Sequence, residues 1–203
     1  MDVFKTLAVA SALALAAGGA NAAVYYADSV VSWDDPACGT SDAPISCAKQ
    51  ADRSDPTKAL GDADGKFYSL GLGGSLTLGF AGTAFNNADI TISEITYGGG
   101  LGSGHREAVE VWAINSDTDQ KWNLGVLTNT EGGNVISASV GAFNQIRLVD
   151  ISLAYFGTTR STDGFDVDSV SVTLAPVPLP ATAGMLLAGI GGLAALRRRK
   201  KAA

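Results

Sequence analysis

Two alanine- and leucine-rich apolar blocks bracket a polar, glycine-rich centre, so the folded part of this chain lies between them. The 46% hydrophobic content of the 203 residues averages over these unlike segments. Charge separates them further. Arg197, Arg198, Arg199, Lys200 and Lys201 sit together near the C-terminus, and Lys5 stands near the N-terminus. Between Ala23 and Pro178 there remain eight basic residues against nineteen acidic ones, a formal charge of −11. A field of that sign repels nucleic acid and anionic lipid and attracts cations, which argues against a DNA-binding role.

The N-terminal block has the layout of a secretory leader. Lys5 supplies the positive start, and residues 6–17 form a short apolar run that Gly18 and Gly19 interrupt. Ala20-Asn21-Ala22 is a small-x-small cleavage sequence. The expectation is a signal peptide over residues 1–22, with the mature chain starting at or near Ala23. The alternative is an uncleaved anchor, but the run is short for a bilayer.

The C-terminal block begins with Val177-Pro178-Leu179-Pro180-Ala181. An apolar helix can then run from about residue 181 to residue 196 before the basic cluster. At ~1.5 Å per residue it reaches roughly 24 Å, short of a ~30 Å hydrocarbon core. Gly184, Gly189, Gly191 and Gly192 weaken it. The cations keep that end cytoplasmic and place the centre outside. A span this marginal reads as a membrane-engaging processing signal, with a plain single-span anchor as the alternative.

In that order, the Val-Pro-Leu-Pro-Ala sequence, the glycine-broken apolar helix and the arginine-rich end resemble the VPLPA variant of the PEP-CTERM sorting signal. The resemblance covers residues 176–203. It implies a Gram-negative bacterium and processing by an exosortase-type membrane enzyme. It also implies association with the cell surface, exopolysaccharide and biofilm. It concerns the address only.

The centre, residues 23–175, reads as all-β. Leu76, Leu78 and Phe80 alternate with Ser75, Thr77 and Gly79. Val109, Val111 and Ala113 make a second such face, and Val170, Val172 and Leu174 a third. Nine short strands are expected, near residues 24–31, 67–70, 75–80, 89–97, 109–113, 122–127, 135–140, 145–151 and 169–174. Gly/Asn/Asp/Ser turns separate them, and one helical turn fits residues 57–60. This pattern predicts a jelly-roll or β-sandwich. Cys38 and Cys47, in an exported chain, read as a disulfide worth about 2–3 kcal/mol on the chain-entropy argument; two free thiols are the alternative.

The stretches Ala59-Leu60-Gly61-Asp62-Ala63-Asp64-Gly65, Ser69-Leu70-Gly71-Leu72-Gly73-Gly74-Ser75 and Asp163-Gly164-Phe165-Asp166-Val167-Asp168 are similar to galactose-binding-like, discoidin-related jelly-roll domains. That resemblance implies a two-sheet sandwich. Many relatives bind sugars or surfaces, and many carry structural calcium.

Three chemistries are weighed. Calcium takes six to eight oxygen ligands, and Asp62, Asp64, Asp163, Asp166 and Asp168 are the candidate donors. If Asp166 and Asp168 lie in a regular strand, they share the buried face of Val170 and Val172 and need a partner there. Ordinary Asp-Gly turn chemistry is the alternative. Sugar binding would use aromatic faces, with Trp112, Trp122 and Tyr97 as candidates. Trp112 lies between Val111 and Ala113 and so points away from their face. The alternative is a packing role, since tryptophan is usually well buried. Catalysis has little support. His105 is the sole histidine, in Gly-Ser-Gly-His, which is not a nucleophile elbow. Glu107 and Glu110 should face opposite ways in a strand. The expectation is an exported, surface-anchored, non-enzymatic envelope or matrix protein that binds polysaccharide. A self-assembling structural protein and a polysaccharide hydrolase are the alternatives.

Overall fold

Alternation of inward apolar and outward polar side chains is what closes this domain. The computed structural model describes residues 22–34, 51–96, 104–129, 134–174 and 189–191. Cys38, Cys47, Tyr97 and the Val177, Pro178, Leu179, Pro180 and Ala181 motif lie outside the described residues. Contacts divide the chain into Ala23–Ala175 and a second unit, Met1–Ala22 with Pro176–Ala203. In the second unit, residues 189–191 are helical. Among the described residues, no helix is long and apolar enough to cross a membrane.

Ala23–Ala175 is a sandwich of two five-stranded sheets, and all the strand pairs are antiparallel. The strands are β1 (Val24–Tyr26), β2 (Ser29–Asp34), β3 (Tyr68–Ser69), β4 (Ser75–Gly79) and β5 (Ala88–Glu94), then β6 (Ala108–Asn115), β7 (Gln120–Thr128), β8 (Val135–Ala138), β9 (Gln145–Asp150) and β10 (Asp166–Leu174). One sheet has the order β1-β10-β5-β8, with β3 also on β10. The other runs β2-β4-β9-β6-β7.

The core forms where the two inner faces meet. Leu76, Leu78, Val109, Val111, Ala113, Ile146 and Leu148 come from one sheet, and Ile90, Ile92, Val167, Val170 and Val172 from the other; all have 0% exposure. Phe80, Phe85 and Phe143 close one end, with ring centroids 5.2 and 5.6 Å apart.

Three expectations change. The single strand expected over residues 24–31 is two strands in different sheets. The chain crosses at Ala27, whose N–H bonds to Val170 O at 2.9 Å, and Asp28, whose N–H bonds to Gly79 O at 3.1 Å. The helical turn begins one residue earlier, as a 3-10 helix at Pro56–Ala59, because Asp55 accepts from Thr57 N and Oγ1 (3.0 and 2.7 Å). A one-turn helix, α1 (Ser152–Phe156), was not visible in the pattern because five residues carry no helical period.

The glycine-rich sequence has a steric reason. A Cβ on Gly74 would lie 1.9 Å from Leu70 O, so the β3–β4 loop closes only with glycine there. Asp150 ties the same corner together. Its buried carboxylate accepts from Gly73 N (3.0 Å), Ser152 Oγ (2.6 Å) and Phe165 N (2.9 Å). Burial pushes this carboxyl up, and these hydrogen bonds oppose the shift.

Candidate functional site

The β2-β4-β9-β6-β7 sheet turns alternate residues outward, and in its middle these residues surround a tryptophan. Val109, Val111 and Ala113 point into the core, so Glu110, Trp112 and Ile114 face out. On β9, Ile146 and Leu148 point in, so Arg147 and Val149 face out. Glu110, Trp112, Ile114, Lys121, Arg147 and Val149 line a depression of about 290 Å³. Trp112 pairs with Arg147 on β9 and with Asn123 on β7.

The indole is held from below by a short hydrogen-bonded chain. Trp112 Nε1 donates to Glu110 Oε2 at 2.8 Å. Asn123 Nδ2 donates to Glu110 Oε1 at 2.6 Å, and Asn123 Oδ1 accepts from Gly125 N at 2.8 Å. A register shift on β7 opposite Val111 and Trp112 makes this possible. Leu124 packs against the core, and Gly125 takes a φ of 124°. The bulge therefore turns Asn123 and Val126 out across an extra residue. Both oxygens of Glu110 are thus occupied, and the ring plane is fixed before any ligand arrives.

The three aromatic candidates are not brought together. Trp112 lies on the outer face, as its alternation implied. Trp122 pairs with Ala113 and packs against the core beside Gly141, on the opposite side of the sheet. Tyr97 lies outside the described residues. Glu110, Asn123, Lys121 and Arg147 were missed. Outward alternation in Gln145–Asp150 marks Arg147, but nothing local shows that β9 lies beside β6.

The five candidate calcium donors fall in two places. Asp62 lies beside the Tyr26 hydroxyl and raises its pKa. Asp64 pairs with Lys66 at 2.6 Å, which holds its carboxyl below the usual range. Asp168 caps the same turn, accepting from Asp64 N and Gly65 N, each at 3.1 Å. Asp163 pairs with Arg53 at 2.7 Å, and Asp166 accepts from Ser69 Oγ at 2.5 Å. Among the described residues, no three His, Cys, Asp or Glu side chains converge as a metal-ligand group. The expected placement of Asp166 beside Val170 also changes. A register shift between Val167 and Ser169 sends Val167 into the core, so Asp166, its neighbour, faces the other way, toward Ser69.

That second place is rich in buried acid. Glu107 is 3% exposed, and its carboxyl is pushed up to about 9 by burial and then by the charge of Asp166. Asp166 is pushed up to about 8 by burial, against the Ser69 hydrogen bond, with Asp163 adding to the rise. Burial raises Glu94 as well. As expected, Glu107 and Glu110 face opposite ways. His105 is partly buried, and its carbonyl accepts from Asn129 Nδ2, which also bonds Glu107.

Residues 176–200 match the PEP-CTERM protein-sorting motif, so the chain carries a sorting motif there. No curated protein matches the chain. Among solved structures, a family 32 carbohydrate-binding module from Streptococcus pneumoniae EndoD is similar at 10% identity, with 76% of this chain and 98% of that chain covered and a TM-score of 0.45. The GH31 CBM32-2 module bound to GalNAc is similar at 12% identity, with coverages of 75% and 97% and a TM-score of 0.38. A mutant of the lectin binding domain of Lectinolysin complexed with Lewis b is similar at 10% identity, with coverages of 78% and 94% and a TM-score of 0.37. The chain's own strand pairing establishes its two-sheet fold.

Proposed function

We propose that this chain is an exported surface protein whose sandwich domain binds polysaccharide through the outer face around Trp112, without cleaving it. The observation that carries the reading is the oriented indole in a shallow depression, flanked by polar side chains on three adjacent strands. Sugars are recognised by stacking on an aromatic face while polar groups fix the hydroxyls. Glu110 and Asn123 hold the ring, and Lys121 and Arg147 are available to the ligand. The test is gel retardation of the full chain, in mild detergent, through gels containing different polysaccharides. The wild type is expected to be retarded by at least one, and Trp112→Ala to migrate freely in it. Equal retardation of the two would refute the reading.

The address forms part of the same proposal. The sorting motif supports a leader removed near Ala23 and a tail handled by an exosortase-type enzyme after membrane insertion. The intact mass of the surface form is expected to lack residues 197–203. A mass that still includes them would mean a plain anchor.

Calcium is proposed as a stabilising ion and not as part of the binding face. Glu94, Glu107, Asp163 and Asp166 outnumber Arg53, the cation paired with Asp163. Protons or a divalent ion would balance the excess. Their present geometry forms no ligand set, so binding would require the carboxylates to move. A melting temperature at pH 8 that millimolar Ca²⁺ leaves unchanged would exclude this.

A further inference from the structure

We propose that the polysaccharide taken by the Trp112 face is anionic, with carboxylates on its sugars; this rests on the binding role given above and names the class of ligand. Local charge sets this face apart. Elsewhere among the described residues, basic side chains are engaged by the protein. Arg53 is paired with Asp163, Lys66 with Asp64, and Lys58 bonds the Asp52 carbonyl. Arg106 stands over the Phe156 ring at 6.0 Å. Lys121 and Arg147 differ. Both are exposed and line the depression, and among the described residues neither has a carboxylate within ion-pair distance. Arg147 makes one long hydrogen bond, Nη2 to Ser75 Oγ at 3.4 Å, which leaves most of its donors unused.

The depression has one carboxylate, Glu110, whose two oxygens already accept from Trp112 and Asn123. That carboxylate keeps its charge, but among the described residues neither cation lies within ion-pair distance of it. The face therefore sets two cations outside any ion pair against one carboxylate, and its balance is positive in a domain that is otherwise acidic.

Their placement suits a chain more than a single sugar. Arg147 is opposite Trp112 on β9, and Lys121 is opposite Ile114 on β7, on the other side of Trp112 and two residues along. Strand spacing and rise put the two Cα atoms roughly 12 Å apart. A ring stacked on Trp112 would have a cation on each side, positioned for acidic groups on neighbouring sugars. The planar arginine fork matches a carboxylate with two parallel bonds.

The domain's overall charge of −11 opposes an anionic ligand at long range. At physiological ionic strength that field decays over about 8 Å, so charges in contact with the ligand decide. Binding should also weaken as salt rises beyond the physiological range, when even the contact charges are screened.

The test measures affinity of the full chain in mild detergent for polygalacturonate and for the same polymer fully methyl-esterified, which keeps the ring and removes the charge. Binding to polygalacturonate is expected to be at least tenfold tighter. Arg147→Gln and Lys121→Gln should each reduce that preference several-fold while leaving the melting temperature unchanged. Equal affinity for the two polymers, with both variants behaving as wild type, would overturn the anionic assignment and leave the polysaccharide reading standing. If neither these nor neutral polysaccharides bind, the underlying reading fails instead. Equally tight binding to dextran sulfate would also overturn the proposal, because it would indicate unselective attraction to anions.

Discussion

Glu107 and Glu110 are three residues apart at the same strand, yet they occupy opposite settings. Glu110 faces outward, and its two oxygens hold Trp112 and Asn123 in place. Glu107 is buried near Asp166 and Glu94, where loss of water lifts its carboxyl to about 9. Glu107 lies just before β6 and Glu110 within it, and the odd spacing along extended backbone turns them to opposite sides. It also divides the domain's tasks. The outer face holds one carboxylate, hydrogen-bonded to neutral donors, and two cations outside ion pairs, which suits a ligand. The buried acid cluster around Glu107 collects carboxyl groups from both sheets that fold most easily when protonated or matched by a cation.

The largest expected effect that separates the two regions is on binding. Trp112→Ala should weaken polysaccharide binding about 30-fold or more, as loss of a central aromatic anchor of ~2 kcal/mol does, without changing the melting temperature's response to pH. Calorimetry of binding and of melting together would check this. Should Trp112→Ala unfold the domain, the indole belongs to the core and the contrast fails.

Next comes the buried end. A carboxyl whose folded pKa is raised stabilises fully below its unfolded value and loses that contribution as pH rises through the folded one. For Glu107 the window runs from about 4.5 to about 9, and for Asp166 from about 3.8 to about 8. The melting temperature in EDTA should therefore fall between pH 5 and pH 9. Glu107→Gln should reduce that fall, raising the pH 9 melting temperature by about 2–4 °C, the shift ~1 kcal/mol makes in a domain of this size. Binding should be unaffected. A wild-type curve flat from pH 5 to pH 9 would mean the acids are neutralised in another way.

The smallest effect sharpens the comparison. Glu110→Gln keeps the shape but replaces one acceptor oxygen with a donor that faces another donor. The indole should be held less firmly and binding should drop only a few-fold, with no change in the melting curve's pH response. A loss as large as that of Trp112→Ala would mean Glu110 touches the ligand itself.

The sequence made part of this legible. Alternation at Val109, Val111 and Ala113 told which way Trp112 points, because side-chain direction is a property of one strand. The partners of Trp112 depend on which strands lie side by side. Arg147 reaches it through the pairing of β6 with β9, and Asn123 through a bulge on β7. Neither pairing nor bulge leaves a local mark. The same limit explains Asp166, placed beside Val170 by strict alternation and turned away by the register shift after Val167. The Asp28 crossing was hidden because both strands around it are short and no turn glycine or proline separates them. The glycine-rich loop was readable as a motif, but its cause, the 1.9 Å approach of a Cβ on Gly74 to Leu70 O, exists only in three dimensions.

Whether ligand sits on Trp112 can be read by oxidative footprinting of the full chain, with mass spectrometry, with and without the polysaccharide that retards it. Trp33, 54% exposed on β2, serves as an internal control. Protection of Trp112 with Trp33 unchanged is the predicted result. Protection of Trp33 alone, or bound polysaccharide that leaves Trp112 as reactive as before, would contradict the account.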